Sequence, residues 1–266
     1  MQDFQICEAN LRAAMRFFGE ATGSGNIQAL DGATAIYSGL DYGVFNIAML
    51  SGPLSAPQNS GVAGLEDRVD ECGRYFLPRT LRWSFWLCEE LLDSPVRRRA
   101  RSVMLDCGLQ QISRAPGMLA PALAPPSIKL PEVECRPVAD RSTREAFGII
   151  TAASFDIPMA VARAVYYPER AWNGAYRGFV GMVRGEPVSI VAIVAAADSL
   201  GIYSLATLPQ YRRCGYGEAL LRAAVASESQ RTGTERLALQ STEAGYSLYT
   251  RLGFRDVANF SVYLTK

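Results

Sequence analysis

The sequence predicts an α/β protein, an α+β mixed-sheet fold built as two tandem units, each a mixed central sheet flanked by helices. The second half reads, in order, one strand, two helices, three strands, then helix, strand, helix, strand. Between Pro116 and Pro131 the chain carries Pro121, Pro125 and Pro126, alternating alanines and few charges. That composition marks a fairly stiff connector and sets the boundary near Pro125, giving units 1–124 and 125–266. Third, Met104-Leu-Asp-Cys-Gly108-Leu109 lies on Tyr249-Thr-Arg-Leu-Gly253-Phe254. Each is a helix end, a glycine cap and a strand start, so the halves look like each other.

In the first half, residues 3–20 place Leu11, Met15 and Phe18 at helical spacing. Strands are expected at Gly32–Ser38 and Val44–Leu50, around the turn Gly39-Leu-Asp-Tyr-Gly43. A Gly/Pro/Ser-rich loop spans Ser51–Val62, and a helix covers Leu65–Leu77 until Pro78 stops it. Leu81–Leu87 is an aromatic-rich strand. Ser94-Pro95 supplies an N-cap with proline in the first turn, and Gly108 ends that helix before a strand at Leu109–Met118.

The second half begins with a strand at Val133–Val138 and helices within Ser142–Tyr167. Strands Tyr176–Arg184 and Val188–Ala196 meet at Gly185-Glu-Pro187. A further strand, Ile202–Leu208, stops at Pro209, and Arg212-x-x-Gly215-x-Gly217 opens a helix reaching about Thr232. Strand, glycine-bearing turn and helix start describe a backbone cradle for a phosphate, because turn N–H groups and the helix dipole converge there. A strand at Arg236–Gln240, a helix at Ala244–Leu252 capped by Gly253, and a strand at Ala258–Leu264 complete the chain.

Composition removes several alternatives. Among 266 residues there is no histidine, which excludes Ser-His-Asp and Cys-His devices and most zinc sites. No metal is expected. A net charge of +1 gives no push toward nucleic acid or membrane. The run Arg97-Arg-Arg-Ala-Arg101 reads as a solvated helix face, and Trp83, Phe85 and Trp86 as packing residues. The six cysteines include no C-x-x-C pair, and the N-terminus lacks a signal-peptide layout, so a reducing cytoplasmic location is expected.

The segments Arg212-Arg213-Cys214-Gly215-Tyr216-Gly217 and Leu248-Tyr249-Thr250-Arg251-Leu252-Gly253-Phe254, in this order and separated by a helix and a strand, resemble the GNAT superfamily of acyl-CoA-dependent N-acyltransferases. The resemblance covers roughly residues 132–266. It implies acetyl-CoA as co-substrate, with Arg212, Arg213, Cys214, Gly215, Tyr216 and Gly217 forming the pyrophosphate turn and Ala206, Thr207 and Leu208 pairing with the pantetheine arm. Tyr249 would return a proton to the CoA thiolate. A free tyrosine titrates near about 10 and a thiol near about 8.5, so a positioned phenol can donate while staying neutral.

The sequence departs from the family's pattern in two places. The Asn often found ahead of the tyrosine is Thr242, and the strand before the turn carries Tyr203 and Ser204 rather than a Glu, with Asp198 the nearest upstream carboxylate. A water-relayed base is therefore expected. The first half reads as a degenerate copy: Met104 stands at the tyrosine position, and Gln58-x-x-Gly61-x-Ala63 is a weak echo of the turn. The expected activity is acetyl transfer to a primary amine, on a small molecule rather than a protein, in a chain compatible with a homodimer. Asp156, Glu169 and Asp198 are candidates to attract a cationic amine. The alternative is a non-catalytic acyl-CoA-binding or regulatory module.

Overall fold

The computed structural model describes residues 1–54, 61–79 and 82–266. Helix α1 (Asp3–Ala21) buries Leu11, Ala14, Met15 and Phe18 along one stripe, as the spacing predicts. A hairpin follows, β1 (Asn26–Leu30) and β2 (Ala33–Tyr37), with Gly32 at φ +69° in its turn. Strand β1 was not expected: Asn-Ile-Gln-Ala-Leu is largely exposed and has neither a β-branched run nor strict alternation. Next come β3 (Ile47–Leu50), α2 (Gly61–Phe76) and β4 (Ser84–Cys88). Leu81, the expected start of β4, lies outside the described residues.

Helix α3 (Ser94–Asp106) is capped one residue earlier than the sequence suggests. The Asp93 carboxylate accepts from the Val96 N–H at 3.1 Å, and Ser94-Pro95 falls inside the first turn. Gly108, at φ +82°, then turns the chain into β5 (Leu109–Ala120). That strand runs into the expected connector, and the Pro116 carbonyl takes the Ser241 N–H at 2.9 Å.

The second half holds β6 (Glu134–Pro137), α4 (Arg141–Phe155), α5 (Met159–Tyr166), β7 (Tyr176–Val183), β8 (Glu186–Ala196), β9 (Ser199–Thr207), α6 (Tyr216–Thr232), β10 (Leu237–Gln240), α7 (Glu243–Arg251) and β11 (Arg255–Thr265). Alternation along the strands divides two apolar clusters. Ile190, Ala192 and Val194 enter one, whereas Val191 and Ile193 enter the other with Leu220, Leu221 and Ala224 of α6. A sheet covered on both faces explains why β8 is apolar nearly throughout.

All strands among the described residues join one 11-stranded sheet in the order β1-β2-β3-β4-β11-β5-β10-β9-β8-β7-β6. The last strand of each half therefore lies against the other half. Strand β11 pairs antiparallel with β4 from Phe260↔Cys88 to Leu264↔Ser84, and with β5 along its length. Strand β5 in turn pairs with β10, from Leu237↔Ala120 to Gln240↔Gly117. Helix α1 crosses the same boundary and packs on β8, β9 and β10. Its Phe17 ring stacks on Tyr166 and Tyr176, with centroids 5.6 Å and 4.2 Å away.

Candidate functional site

The site begins where two parallel strands part. Strands β9 and β10 pair only at Leu237↔Leu200 and Ala238↔Gly201. Beyond Gly201, β9 keeps β8 on its other side, through Ser189↔Thr207 and Ile190↔Ala206. The edge of β9 that faced β10 is thus left without a ladder over Ile202–Thr207. One extra residue interrupts the β8–β9 register between Ile190↔Ala206 and Ala192↔Tyr203, and Ser204 there takes φ +50°. A non-glycine residue in the left-handed region at a bulge re-aims the local N–H groups out of the ladder. The Ser204 Oγ lies 2.8 Å from the Tyr176 hydroxyl.

At the end of β9 the chain makes a short 3-10 turn, Pro209–Tyr211, and enters α6. Arg213 (φ +64°) and Gly215 (φ +84°) both adopt left-handed backbone. Gly215 caps α6, and no side chain caps it in addition. The first-turn N–H groups of that helix therefore have no intrahelical acceptor and point outward at its positive end. The space is held open by glycine. A Cβ on Gly217 would sit 2.8 Å from Thr207 Oγ1, and one on Gly215 2.9 Å from Pro131 Cδ. Arg212 Nε donates to the Thr207 carbonyl at 3.0 Å, joining the turn to the strand end. Inside the helix, Glu218 is held by Arg222 at 2.8 Å, so its carboxylate is neutralised beside the turn.

A cavity of about 380 Å³ opens at the parting of the strands. Tyr249 of α7 reaches it together with Ser204, Leu205, Gln240 and Thr242. Burial pushes the Tyr249 phenol well above its usual range, so it stays protonated. Thr242 caps α7, accepting from the Gly245 N–H at 3.2 Å. The opposite wall comes from the first half: Leu11, Met15 and Phe18 of α1, with Tyr42, Phe45 and Trp86. Among the described residues no charged side chain lines the cavity. Among the described residues of the chain, no three or more Asp, Glu or Cys side chains form a group suited to a metal.

Residues 174–256, from just before β7 into β11, match the family model of the acetyltransferase (GNAT) domain. This segment is a GNAT domain. The whole chain also shares its fold with solved structures. It covers 100% of itself and 96% of a GCN5-related N-acetyltransferase from Kribbella flavida, at 20% identity and a TM-score of 0.71. It is similar to a functionally unknown conserved protein from Staphylococcus epidermidis (16% identity, TM-score 0.64, 91% of this chain and 94% of that one). A GCN5-related N-acetyltransferase from Sphaerobacter thermophilus gives 16% identity and a TM-score of 0.59, over 88% and 76%. No curated protein matches the sequence.

Of the candidate site residues singled out in the sequence, Tyr249 lines the cavity, whereas those of the strand end and the turn lie outside its wall. Ala206, Thr207 and Leu208 line up at the end of β9, Arg212 to Gly217 form the turn, and Tyr249 faces the cavity from α7. Cys214 is exposed, its Sγ 3.4 Å from the Arg212 carbonyl. Asp156, Glu169 and Asp198 are exposed and do not line the cavity. Burial raises the Tyr42 phenol of the cavity wall, and the charge of Asp156 adds to that rise. In the first half, the parallel strands β3 and β4 are followed by a bridge of the chain itself. The Leu54 N–H donates to the Leu91 carbonyl at 2.7 Å, and the Asp93 N–H to the Leu54 carbonyl at 3.2 Å. Met104 is fully buried, and Gln58 lies outside the described residues.

Asn10 of α1 was missed by sequence reasoning. It is fully buried, receives the Tyr203 O–H at 2.8 Å, and donates to the Val194, Ala196 and Ser199 carbonyls. Its signal was present: an amide between Cys7 and Ala14 on the apolar stripe must find partners. No described helix is long and apolar enough to cross a membrane.

Proposed function

We propose that the chain transfers an acetyl group from acetyl-CoA directly to a primary amine. The observation that carries this reading is the parting of β9 from β10 past Gly201, which leads without interruption to the outward-facing N–H groups at the start of α6. An unpaired strand edge suits an extended, amide-bearing arm, and the glycine-held turn suits its pyrophosphate. Acetyl-CoA would supply an activated thioester carbonyl at the cavity end of the gap. There the bulge at Ser204 offers N–H groups to the developing oxyanion. The amine nitrogen forms the new C–N bond, the C–S bond breaks, and Tyr249 gives its proton to the leaving sulfur while the ammonium proton is lost to water.

The first half acts in this reading as a wall of the acceptor cleft and not as a second acyl-CoA site. Leu54 forms the bridge beyond its parallel strands and Met104 cannot donate a proton. The second reading, a non-catalytic acyl-CoA-binding module, draws on the absence of a carboxylate from the described cavity wall. Replacement of Tyr249 by Phe separates the two. Transfer requires acetyl-CoA binding to be kept while turnover falls about tenfold or more. Acetyl-CoA bound tightly by the native chain, with no thiol released for any amine of a broad panel, would favour the module.

A further inference from the structure

The wall of the acceptor cavity is uniform in one respect: its described residues are aromatic, aliphatic or neutral polar. Polyamines, amino sugars and protein lysines bring cationic or heavily hydroxylated bodies that need carboxylates or dense hydrogen-bond partners. Here the body of a ligand would meet Met15, Phe18, Phe45, Trp86 and Tyr166. At about 380 Å³ the space lies toward the small end of the roughly 300–1,000 Å³ usual for small-ligand sites.

Two of the lining residues each carry a buried oxygen without a hydrogen-bond partner: Thr151 Oγ1 on α4 and Gln240 Oε1 at the end of β10. Thr151 is 1% exposed. The Gln240 amide is oriented by Cys7, whose carbonyl and sulfur lie 3.4 Å and 3.2 Å from Nε2, which leaves Oε1 as the unpaired end. Buried polar atoms nearly always have partners, and an unpaired one costs free energy that a bound donor can recover. Both atoms can accept from N–H. The Thr151 hydroxyl can also donate.

Resting on the acetyl-transfer reading above, we infer that the acceptor is a compact primary amine on an apolar, aromatic body with no second charge. Its neutral nitrogen donates to Gln240 Oε1 beside Ser204 and Tyr249, and its ring lies between α1 and α4 against Phe18, Trp86 and Tyr166. The same wall deals with the missing base. An ammonium entering an uncharged, aromatic cavity loses hydration without gaining a counterion, which favours the neutral, nucleophilic form.

The test uses the full chain with 2-phenylethylamine, spermidine and free lysine as probes, read by calorimetry without cofactor and by thiol release with acetyl-CoA. 2-Phenylethylamine is expected to bind, and to exceed both other amines at least about tenfold in kcat/KM. Thr151→Val is expected to raise KM for 2-phenylethylamine several-fold, with Tm unchanged or higher because the removed hydroxyl has no partner in the fold. A falling Tm with KM unchanged would make Thr151 structural and overturn its contact with the acceptor. Turnover of spermidine or lysine equal to or above that of 2-phenylethylamine, with acetyl-CoA bound, would sink the acceptor class and leave acetyl transfer standing. Binding of 2-phenylethylamine to a chain that does not bind acetyl-CoA would keep the pocket's chemistry and sink acetyl transfer. Binding of neither would overturn both.

Discussion

The Tyr203 hydroxyl donates to Asn10 Oδ1 at 2.8 Å, joining the first helix of the chain to the strand that carries the bulge at Ser204. The approach is close enough that a Cβ on Gly201 would fall on Asn10 Oδ1. One side chain thus holds α1 over the GNAT domain and sets the cavity wall that α1 supplies. Replacing Asn10 by Leu leaves Tyr203 and the carbonyls of Val194, Ala196 and Ser199 short of a partner in a dry interface. A loss of about 2–3 kcal/mol is expected from denaturant unfolding, at the upper end of the cost of an orphaned buried group. Stability within about 0.5 kcal/mol of the native chain would mean that the latch contributes little.

Gly217 separates a cofactor effect from a folding effect. A Cβ there would press on Thr207 Oγ1 at 2.8 Å, within the N-terminal turn of α6, where alanine is otherwise a good helix residue. Gly217→Ala is therefore expected to raise the KM for acetyl-CoA about tenfold or more, with a Tm close to native. Steady-state kinetics with acetyl-CoA varied checks this. An unchanged KM would move the pyrophosphate away from this turn.

Glu8 offers a stability change whose sign is set by burial. Its carboxyl is only 4% exposed, and desolvation lifts it to about 6 despite Arg12 at 3.0 Å. The folded chain holds this proton more tightly than the unfolded chain does. Ionising Glu8 therefore costs stability as pH rises through about 6, and below the unfolded value of about 4.3 the group contributes nothing. The cost above pH 6 is about 2 kcal/mol. Glu8→Gln should stabilise the chain at pH 8 by up to about that amount, in which the attraction of Arg12 is already included, and the gain should vanish near about pH 4. Urea unfolding at the two pH values measures it; a gain larger in acid would reverse the sign.

Tyr249 predicts the shape of the rate profile. With the phenol raised well above about 10, the acid remains protonated across the working range. The rate with a fixed amine should climb with pH as the amine loses its proton, with no fall below about pH 10. A descending limb near about pH 8–9 that Tyr249→Phe abolishes would show instead that the phenol titrates within that range.

Local chemistry was the part of this fold that the sequence revealed. The turn after β9 was legible because a glycine at a position needing positive φ, Gly215, ahead of an apolar helix, has few other uses. Helix α3 and its cap were displaced by a single residue, since Asp93 and Ser94 compete for the same role. The exchange of β5 and β11 was not legible. The alternation Phe260, Val262, Leu264 fits any sheet of the right depth, and pairing partners are chosen by the tertiary structure. For the same reason α1 read as an amphipathic helix of its own half, although it packs across the boundary. Thr151 and Gln240 carried no pattern at all: an unpaired oxygen becomes visible only when its surroundings are known.

The exchange of β5 and β11 has a consequence for the order in which the molecule can be made. During synthesis β4 leaves the ribosome long before β11, the strand that completes its ladder. Until then the first half presents an unsatisfied edge, with the aromatic strand around Phe85 and Trp86 beside it. A nascent chain in this state has the features that chaperones bind and that crowded intermediates aggregate through. A first half expressed without β11 would keep that edge open, because its ladder is completed only by the last strand of the chain.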